Sequence, residues 1–239
     1  MSLPSINETA SYNLKLPSGK TIKYRPYFVK EQKILLMAQE TGKQDELLDA
    51  FKKITSNCTF GVVNVEKMPL FELEYLFLNI RCKSVGENVD INLVCKKCGQ
   101  KEKIKVDLSK VSLPDYSKKP NKFMLTDKIG LMLRYPSIDD YNHLGISQPN
   151  NLTTRQILDL VPYCIENIFD EKQVYVADKD FNVTEAESFF SNATEKQITD
   201  IVQFFKEIPT LSHLIEYNCK GCNGAKKEFL LEGVMDFFV

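Results

Sequence analysis

Two short cysteine motifs constrain the fold of this chain more than any other feature. They are Cys95-Lys96-Lys97-Cys98-Gly99 and Cys219-Lys220-Gly221-Cys222-Asn223-Gly224. Each is followed by Gly or Asn-Gly, which accept the positive φ that a tight turn needs. Each also lies between an alternating apolar segment and a lysine-rich one, a pattern typical of a β-hairpin. We therefore predict two β-hairpins, each with a cysteine knuckle at its tip.

The spacing of the cysteines indicates a metal site. A structural zinc ion takes four tetrahedral ligands, commonly thiolates at about 2.3 Å, so one pair supplies half a site and two pairs close it. We predict one structural zinc bound by a zinc-ribbon-like module with four ligands: Cys95, Cys98, Cys219 and Cys222. The long separation of the pairs is tolerable, because the entropy cost of closing a loop grows only with the logarithm of its length.

Two alternatives to a shared zinc stay open. The pairs could be separate half-sites that a partner completes, or they could be free thiols or disulfides. A redox motif is disfavoured, because it needs a helix N-terminus beside a βαβ pattern, and neither pair has one. We expect Cys58 to be a buried free thiol and give Cys82 little weight as a ligand.

Composition sets the class of protein. The 239 residues are 43% hydrophobic and 26% charged, with a formal net charge of −1, as in an ordinary soluble globular protein. The first residues show no basic segment followed by an apolar one, and no apolar run is long enough to span a bilayer. We therefore expect the reducing cytoplasm, where paired cysteines favour a metal over a disulfide.

The order of the patterns predicts an α+β fold, a helical core with antiparallel β-hairpins, in a single compact unit over residues 1–239. Five subregions follow from the changes in period: an N-terminal β-hairpin (1–27), a helical part (28–86), the first knuckle hairpin (87–108), a β-hairpin with helices (122–210), and the second knuckle hairpin with an apolar tail (211–239). Residues 109–121 form a loop or linker between them.

Two apolar segments are candidates for a contact surface. A third helix at 69–82 is apolar around nearly its whole circumference, which favours either a central place in a core or packing against a partner. The C-terminal tail could be a core strand or could dock on a neighbour. The residues that a partner would contact are Leu70, Phe71, Phe77, Phe237 and Phe238.

Capping boxes predict where the later helices begin. Thr153 with Gln156 opens a helix that we expect to run to about 169, kinked or split at Pro162. A small hairpin is predicted over 174–183. Further boxes, Thr184 with Glu187 and Thr194 with Gln197, predict a short helix and a longer one.

Nothing in the chain indicates an enzyme. A phosphate-binding glycine loop, a nucleophile elbow and a His-Glu-x-x-His pattern are all missing from the sequence. Asp139 and Asp140 follow Ser137 in a predicted first helical turn, where acidic residues cap free amides. His143 and His213 are expected to be structural.

Lysines beside the knuckles suggest a second candidate function. These knuckle lysines are Lys96, Lys97, Lys101, Lys103, Lys105, Lys220, Lys226 and Lys227. Brought together by zinc they would form a basic patch, so a zinc-ribbon adaptor that binds nucleic acid is the alternative. Glu102, Asp107 and Glu228 are interleaved with these lysines and weaken the patch. Lysine also keeps exposed sheet edges soluble, which explains the same residues without a ligand.

Several stretches together resemble a known family. They are the early hairpin from Tyr12 to Tyr24, Leu93-Val94-Cys95-Lys96-Lys97-Cys98-Gly99, Leu133-Arg134-Tyr135-Pro136-Ser137, the pair Cys219 and Cys222, and the closing Phe229-Leu230 to Asp236-Phe237-Phe238. The chain resembles the baseplate hub proteins of T-even-type contractile-tailed bacteriophages, the family of the gene 26 hub subunit.

The resemblance implies a structural or assembly component of the baseplate hub and not an enzyme. It implies a place in the virion tail after assembly in the host cytoplasm, with other baseplate and hub proteins as partners. The four cysteines are the only residues whose role it carries over to this chain.

Overall fold

The structure is a computed structural model that describes residues 10–113, 121–146, 149 and 151–237. The first half of the chain contains β1 (Tyr12–Lys15), β2 (Thr21–Tyr24), α1 (Val29–Thr41), α2 (Gln44–Cys58), α3 (Leu70–Val85), β3 (Asn88–Val94), β4 (Lys101–Asp107), β5 (Lys122–Met124) and β6 (Gly130–Leu133). The second half contains α4 (Ile138–His143), α5 (Thr154–Cys164), β7 (Ile165–Phe169), β8 (Val174–Val176), α6 (Val183–Phe190), α7 (Glu195–Lys206), β9 (Ser212–Cys219) and β10 (Ala225–Glu232). The strand pairs are antiparallel, which confirms the predicted α+β class.

The chain divides into two compact units. Unit 1 comprises Met1–Val65, Phe71–Pro114 and Thr210–Val239, and unit 2 comprises Glu66–Leu70 and Asp115–Pro209. This division does not test the prediction of a single compact unit, which stays a prediction. Most of the expected 109–121 linker, residues 114–120, lies outside the described residues.

Unit 1 combines helices α1 to α3 with three two-stranded hairpins: β1–β2, β3–β4 and β9–β10. These are the hairpins that the alternating patterns predicted. Helix α1 ends at Thr41, where Gly42 adopts a φ of +66° and donates its N–H to the carbonyl of Gln39. The chain thus places both cysteine motifs in the same unit.

Helix α3 lies in the core of unit 1, which decides between the two alternatives drawn from its composition. Phe71, Phe77 and the tail residue Phe237 are 3%, 0% and 0% exposed. Burying an aromatic side chain contributes roughly 1.5–3 kcal/mol, and a buried ring has no surface to offer a partner. The expected interface role of these three residues is therefore corrected to a core role. Leu70 is half-buried, and Phe238 lies outside the described residues.

Unit 2 contains a four-stranded antiparallel sheet in the order β5-β6-β7-β8, with helices α4 to α7. The β5–β6 pair was predicted from the sequence. At Gly130 the strands approach so closely that a Cβ atom would lie 2.7 Å from the carbonyl oxygen of Phe123 and would also clash with the ring of Phe169. Glycine is therefore required there for packing.

The prediction that a helix continues to about 169 is wrong. Helix α5 ends at Cys164, and Ile165–Phe169 instead forms strand β7 between β6 and β8. Pro162 lacks the N–H of a continuing helix, and the branched residues Ile165 and Ile168 favour a strand when partners are available. Tertiary pairing therefore overrides the helical period after the proline.

Two further local predictions are corrected. Residues 174–183 do not form a separate hairpin, because β8 pairs with β7 and Val183 already begins α6. The cap of α6 is Asn182 with Glu185, where the asparagine side chain accepts the N–H of Glu185 at 3.0 Å and Glu185 accepts the N–H of Asn182 at 2.8 Å. Thr184, which we expected to cap this helix, lies inside it.

Asp140 serves a structural role. It caps α4 through Ser137, and both of its oxygens bind the guanidinium of Arg134.

The capping boxes at Thr153 and Thr194 are present as predicted. Within the described ranges, no helix has the length and apolar character needed to cross a membrane.

Candidate metal centre

The two cysteine motifs form tight knuckles at the tips of hairpins β3–β4 and β9–β10. In the first, Gly99 adopts a φ of +71° and donates its N–H to the carbonyl of Cys95 at 2.8 Å. In the second, Gly224 has a φ of +76° and donates its N–H to the carbonyl of Cys219 at 3.0 Å, after Asn223 at +56°. The left-handed residues close both turns, as the sequence predicted.

Folding brings the two knuckles together. The sulfur of Cys95 lies 3.9 Å from that of Cys222, and the sulfur of Cys98 lies 3.6 Å from that of Cys219. All four sulfurs lie within 4.8 Å of one another. Four Zn–S bonds of about 2.3 Å directed to the corners of a tetrahedron place the sulfurs about 3.8 Å apart. The residues therefore fit a four-coordinate zinc ion.

The same distances speak against disulfides. A disulfide bond requires a sulfur–sulfur separation of about 2.05 Å, well below both of these cross-knuckle distances. The cluster also contains two ligands from each hairpin, so it does not need a partner to complete a half-site. A shared metal is the alternative that the geometry favours.

Within the cluster, the four thiols differ in how readily they ionise. Backbone N–H groups of Cys98 and Lys97 donate to the sulfur of Cys95 and lower its pKa to about 6. Hydrogen bonding to Cys98, followed by burial, raises the pKa of Cys222 to about 12, and burial raises the pKa of Cys219. The thiolate of Cys95 is thus favoured, whereas burial and hydrogen bonding between the thiols oppose ionisation of Cys219 and Cys222. A divalent ion removes that opposition.

Gly221 is a residue of the site that the sequence analysis missed. A Cβ atom at this position would lie 2.8 Å from the sulfur of Cys98 and 3.0 Å from the Cβ of Gln100. The second knuckle can therefore approach the first only because this residue has no side chain. Gly between two cysteines is too common a residue for the sequence to single it out.

Glu102 is a second missed residue. It is 7% exposed, although its neighbours in β4 are lysines, and its carboxylate accepts the backbone N–H of Lys220 at 2.9 Å. A charge-assisted hydrogen bond to a carboxylate is stronger than a neutral one. The bond joins strand β4 to the second knuckle and so fixes one hairpin against the other. Its signal in the sequence was one acidic residue in a run of lysines.

The other described cysteines lie outside the cluster. Cys58 is fully buried near the guanidinium of Arg25 and free, as predicted, and burial raises the pKa of its thiol to about 12. Burial also raises the pKa of Cys82 and that of Cys164. Thiols of this kind are poor nucleophiles at neutral pH.

The lysines beside the knuckles are partly neutralised by neighbouring acids. Lys103 lies 3.0 Å from Asp90, and Lys226 lies 2.9 Å from Glu216. Lys220 lies 4.0 Å from the carboxylate of Glu102. The basic patch predicted from the sequence is therefore interrupted, and the geometry does not favour binding to nucleic acid.

Comparison with protein families gives one match. The family described as "T4 bacteriophage base plate protein" matches residues 9–239 and so covers nearly the whole chain. Comparison with curated proteins and with solved structures gave no match.

Proposed function

Because the chain belongs to the T4 bacteriophage base plate protein family, we propose that it is a structural or assembly component of the baseplate hub of a contractile tail. Its work is contact with other baseplate and hub proteins, and not catalysis. Its place is the tail of the virion, after assembly in the host cytoplasm. Family membership is the observation that supports this proposal, together with the resemblance to the gene 26 hub subunit.

The proposal includes a structural zinc ion bound by Cys95, Cys98, Cys219 and Cys222. When bound, the ion supplies a charge that keeps the four thiolates together and joins two hairpins that are far apart in the chain. The geometry that supports it is the tetrahedral spacing of the sulfurs. Such a clamp suits an assembly component, because it holds the surface around both knuckles in one shape.

Mass spectrometry of purified phage particles and of tail assembly intermediates tests the location. We expect the chain in the tail fraction, with chemical crosslinks to other baseplate proteins. Absence from both particles and intermediates would contradict the proposal. The copy number follows from the same measurement if labelled peptides are used as standards.

A mobility-shift assay tests the alternative of a nucleic-acid adaptor. We expect no salt-sensitive shift of DNA or RNA, because Lys103, Lys220 and Lys226 face acids and interrupt the basic patch. A shift that is lost with added salt, and with replacement of the knuckle lysines, would favour the adaptor.

A further inference from the structure

A pocket in unit 2, here called the β8 pocket, has no role in the site described above. Its volume is about 350 Å³. Its apolar walls include Ile168, Phe169, Tyr175, Phe181 and Phe189. Ile168 and Tyr175 lie opposite each other on β7 and β8, so the pocket forms where the end of the sheet meets helix α6. A cavity of this size and lining suits an apolar side chain.

Two carboxylates lie at the β8 pocket. Asp170 accepts N–H groups from Lys172 and Gln173, and these backbone hydrogen bonds lower its pKa. Glu185 accepts the N–H of Asn182 in the cap of α6. Among the described residues, neither carboxylate forms an ion pair with a lysine or arginine. Both carboxylates are therefore held in place, and the charge of nearby Lys172 acts on Asp170 without an ion pair.

The surroundings of the pocket are acidic over a wider stretch. Between positions 165 and 190 the sequence has seven acidic residues and two lysines. Glu171 forms an ion pair with Lys128 at 3.0 Å, which neutralises one of these acidic residues, and the net charge of the segment stays negative. A surface of one sign attracts partners of the opposite sign and selects against acidic ones.

The outer edge of strand β8 is partly occupied by its own chain. β8 is the last strand in the order β5-β6-β7-β8. The N–H of Val176 already donates to the carboxylate of Asp180 at 2.9 Å, and the carbonyl of Val176 accepts the N–H of Asp180 at 2.8 Å. A partner is therefore expected to contact the pocket and not to add a strand along this edge.

We propose that the β8 pocket binds a segment of a partner protein in which an aromatic side chain is flanked by Lys or Arg. The aromatic ring fills the cavity, and the flanking cation lies against Asp170 and Glu185. This inference rests on the proposed function in one respect: it gives the chemistry of a partner that a structural tail protein would contact.

Titration of the full chain with short peptides, followed by NMR, tests the proposal. The probe is acetyl-Gly-Lys-Phe-Lys-Gly-amide, with Lys-Ala-Lys and Glu-Phe-Glu versions as matched controls. We expect the Lys-Phe-Lys peptide to shift amide signals of residues 165–190, more weakly as salt is added. The Glu-Phe-Glu peptide should bind about tenfold more weakly, since 1.4 kcal/mol of lost attraction is a factor of ten.

A pair of variants tests whether the negative charge of Glu185 contributes to peptide binding. Glu185→Gln keeps a cap acceptor and removes the negative charge, and should weaken binding of the Lys-Phe-Lys peptide about two- to fivefold. Glu195→Gln makes the same change in the first turn of α7, away from the pocket, and should leave binding unchanged.

Three outcomes would overturn the proposal. They are no shifts with Lys-Phe-Lys, equal binding of Lys-Phe-Lys and Glu-Phe-Glu, and shifts of the same signals with protein concentration alone, which would identify a second copy as the occupant. None of these outcomes bears on whether mass spectrometry finds the chain in tails. A failed peptide-binding proposal can therefore be told apart from a failed proposal for the function.

Discussion

Removal of one zinc ligand should destabilise the chain by an amount that the structure allows us to estimate. The proposed zinc would join the sulfurs of Cys98 and Cys219, two residues that are 121 positions apart. For a cross-link over such a loop, the chain-entropy relation gives about 5 kcal/mol at 25 °C. Cys219→Ser should therefore lower the free energy of unfolding by up to about 5 kcal/mol, which is a large share of a typical domain's stability.

Two measurements check this expectation. Elemental analysis should give one zinc per chain for the parent and a loss of zinc for the variant. Urea unfolding should show a lower midpoint for Cys219→Ser, and the parent treated with a chelator should approach the same value. X-ray absorption of the parent should give four sulfur neighbours at about 2.3 Å.

The matched control is Cys82→Ser, which changes a half-buried thiol outside the cluster. It should keep the zinc and melt close to the parent. A parent without zinc, together with a Cys219→Ser variant that unfolds at the same urea concentration, would refute the reasoning.

Three further predictions follow from single contacts. Gly221→Ala should weaken zinc retention against a chelator, because its methyl group would displace the sulfur of Cys98. Gly130→Ala should lower the stability of unit 2 by about 1–3 kcal/mol, measured by urea unfolding, since its Cβ would overlap the carbonyl of Phe123. Burial raises the pKa of the Glu74 carboxyl to about 7, so the parent should lose stability as the pH rises from about 4.5 to 7, because folding opposes ionisation of this group. Glu74→Gln should remove this loss. At pH 8 the variant should therefore be up to about 3 kcal/mol more stable than the parent in thermal or urea unfolding.

Each of these has an outcome that would contradict it. Unchanged chelator resistance in Gly221→Ala would mean that the knuckles can separate without loss of the metal. A parent-like midpoint for Gly130→Ala would mean that the sheet adjusts. Parallel pH profiles for Glu74→Gln and the parent would show that the carboxyl titrates as in water.

Local signals in the sequence predicted the elements whose determinants lie within a few residues. The knuckles followed from the cysteine spacing and the residues after it, and Gly99 and Gly224 adopt the expected positive φ. Helix starts at Thr153 and Thr194 followed from their capping boxes. Such hydrogen bonds join residues three positions apart, so the sequence alone contains both partners.

Tertiary structure decided the features whose partners are distant in the chain. Ile165–Phe169 forms a strand because β6 and β8 pair with it, and Phe237 of the C-terminal tail lies buried in unit 1. The same holds at the candidate metal centre, where the sequence named the four cysteines but gave no role in the site to Gly221 or Glu102. Gly221 and Glu102 matter only once one hairpin packs on the other. Their contact partners lie on the other hairpin, more than a hundred positions away, and the path of the whole chain decides whether the two hairpins meet.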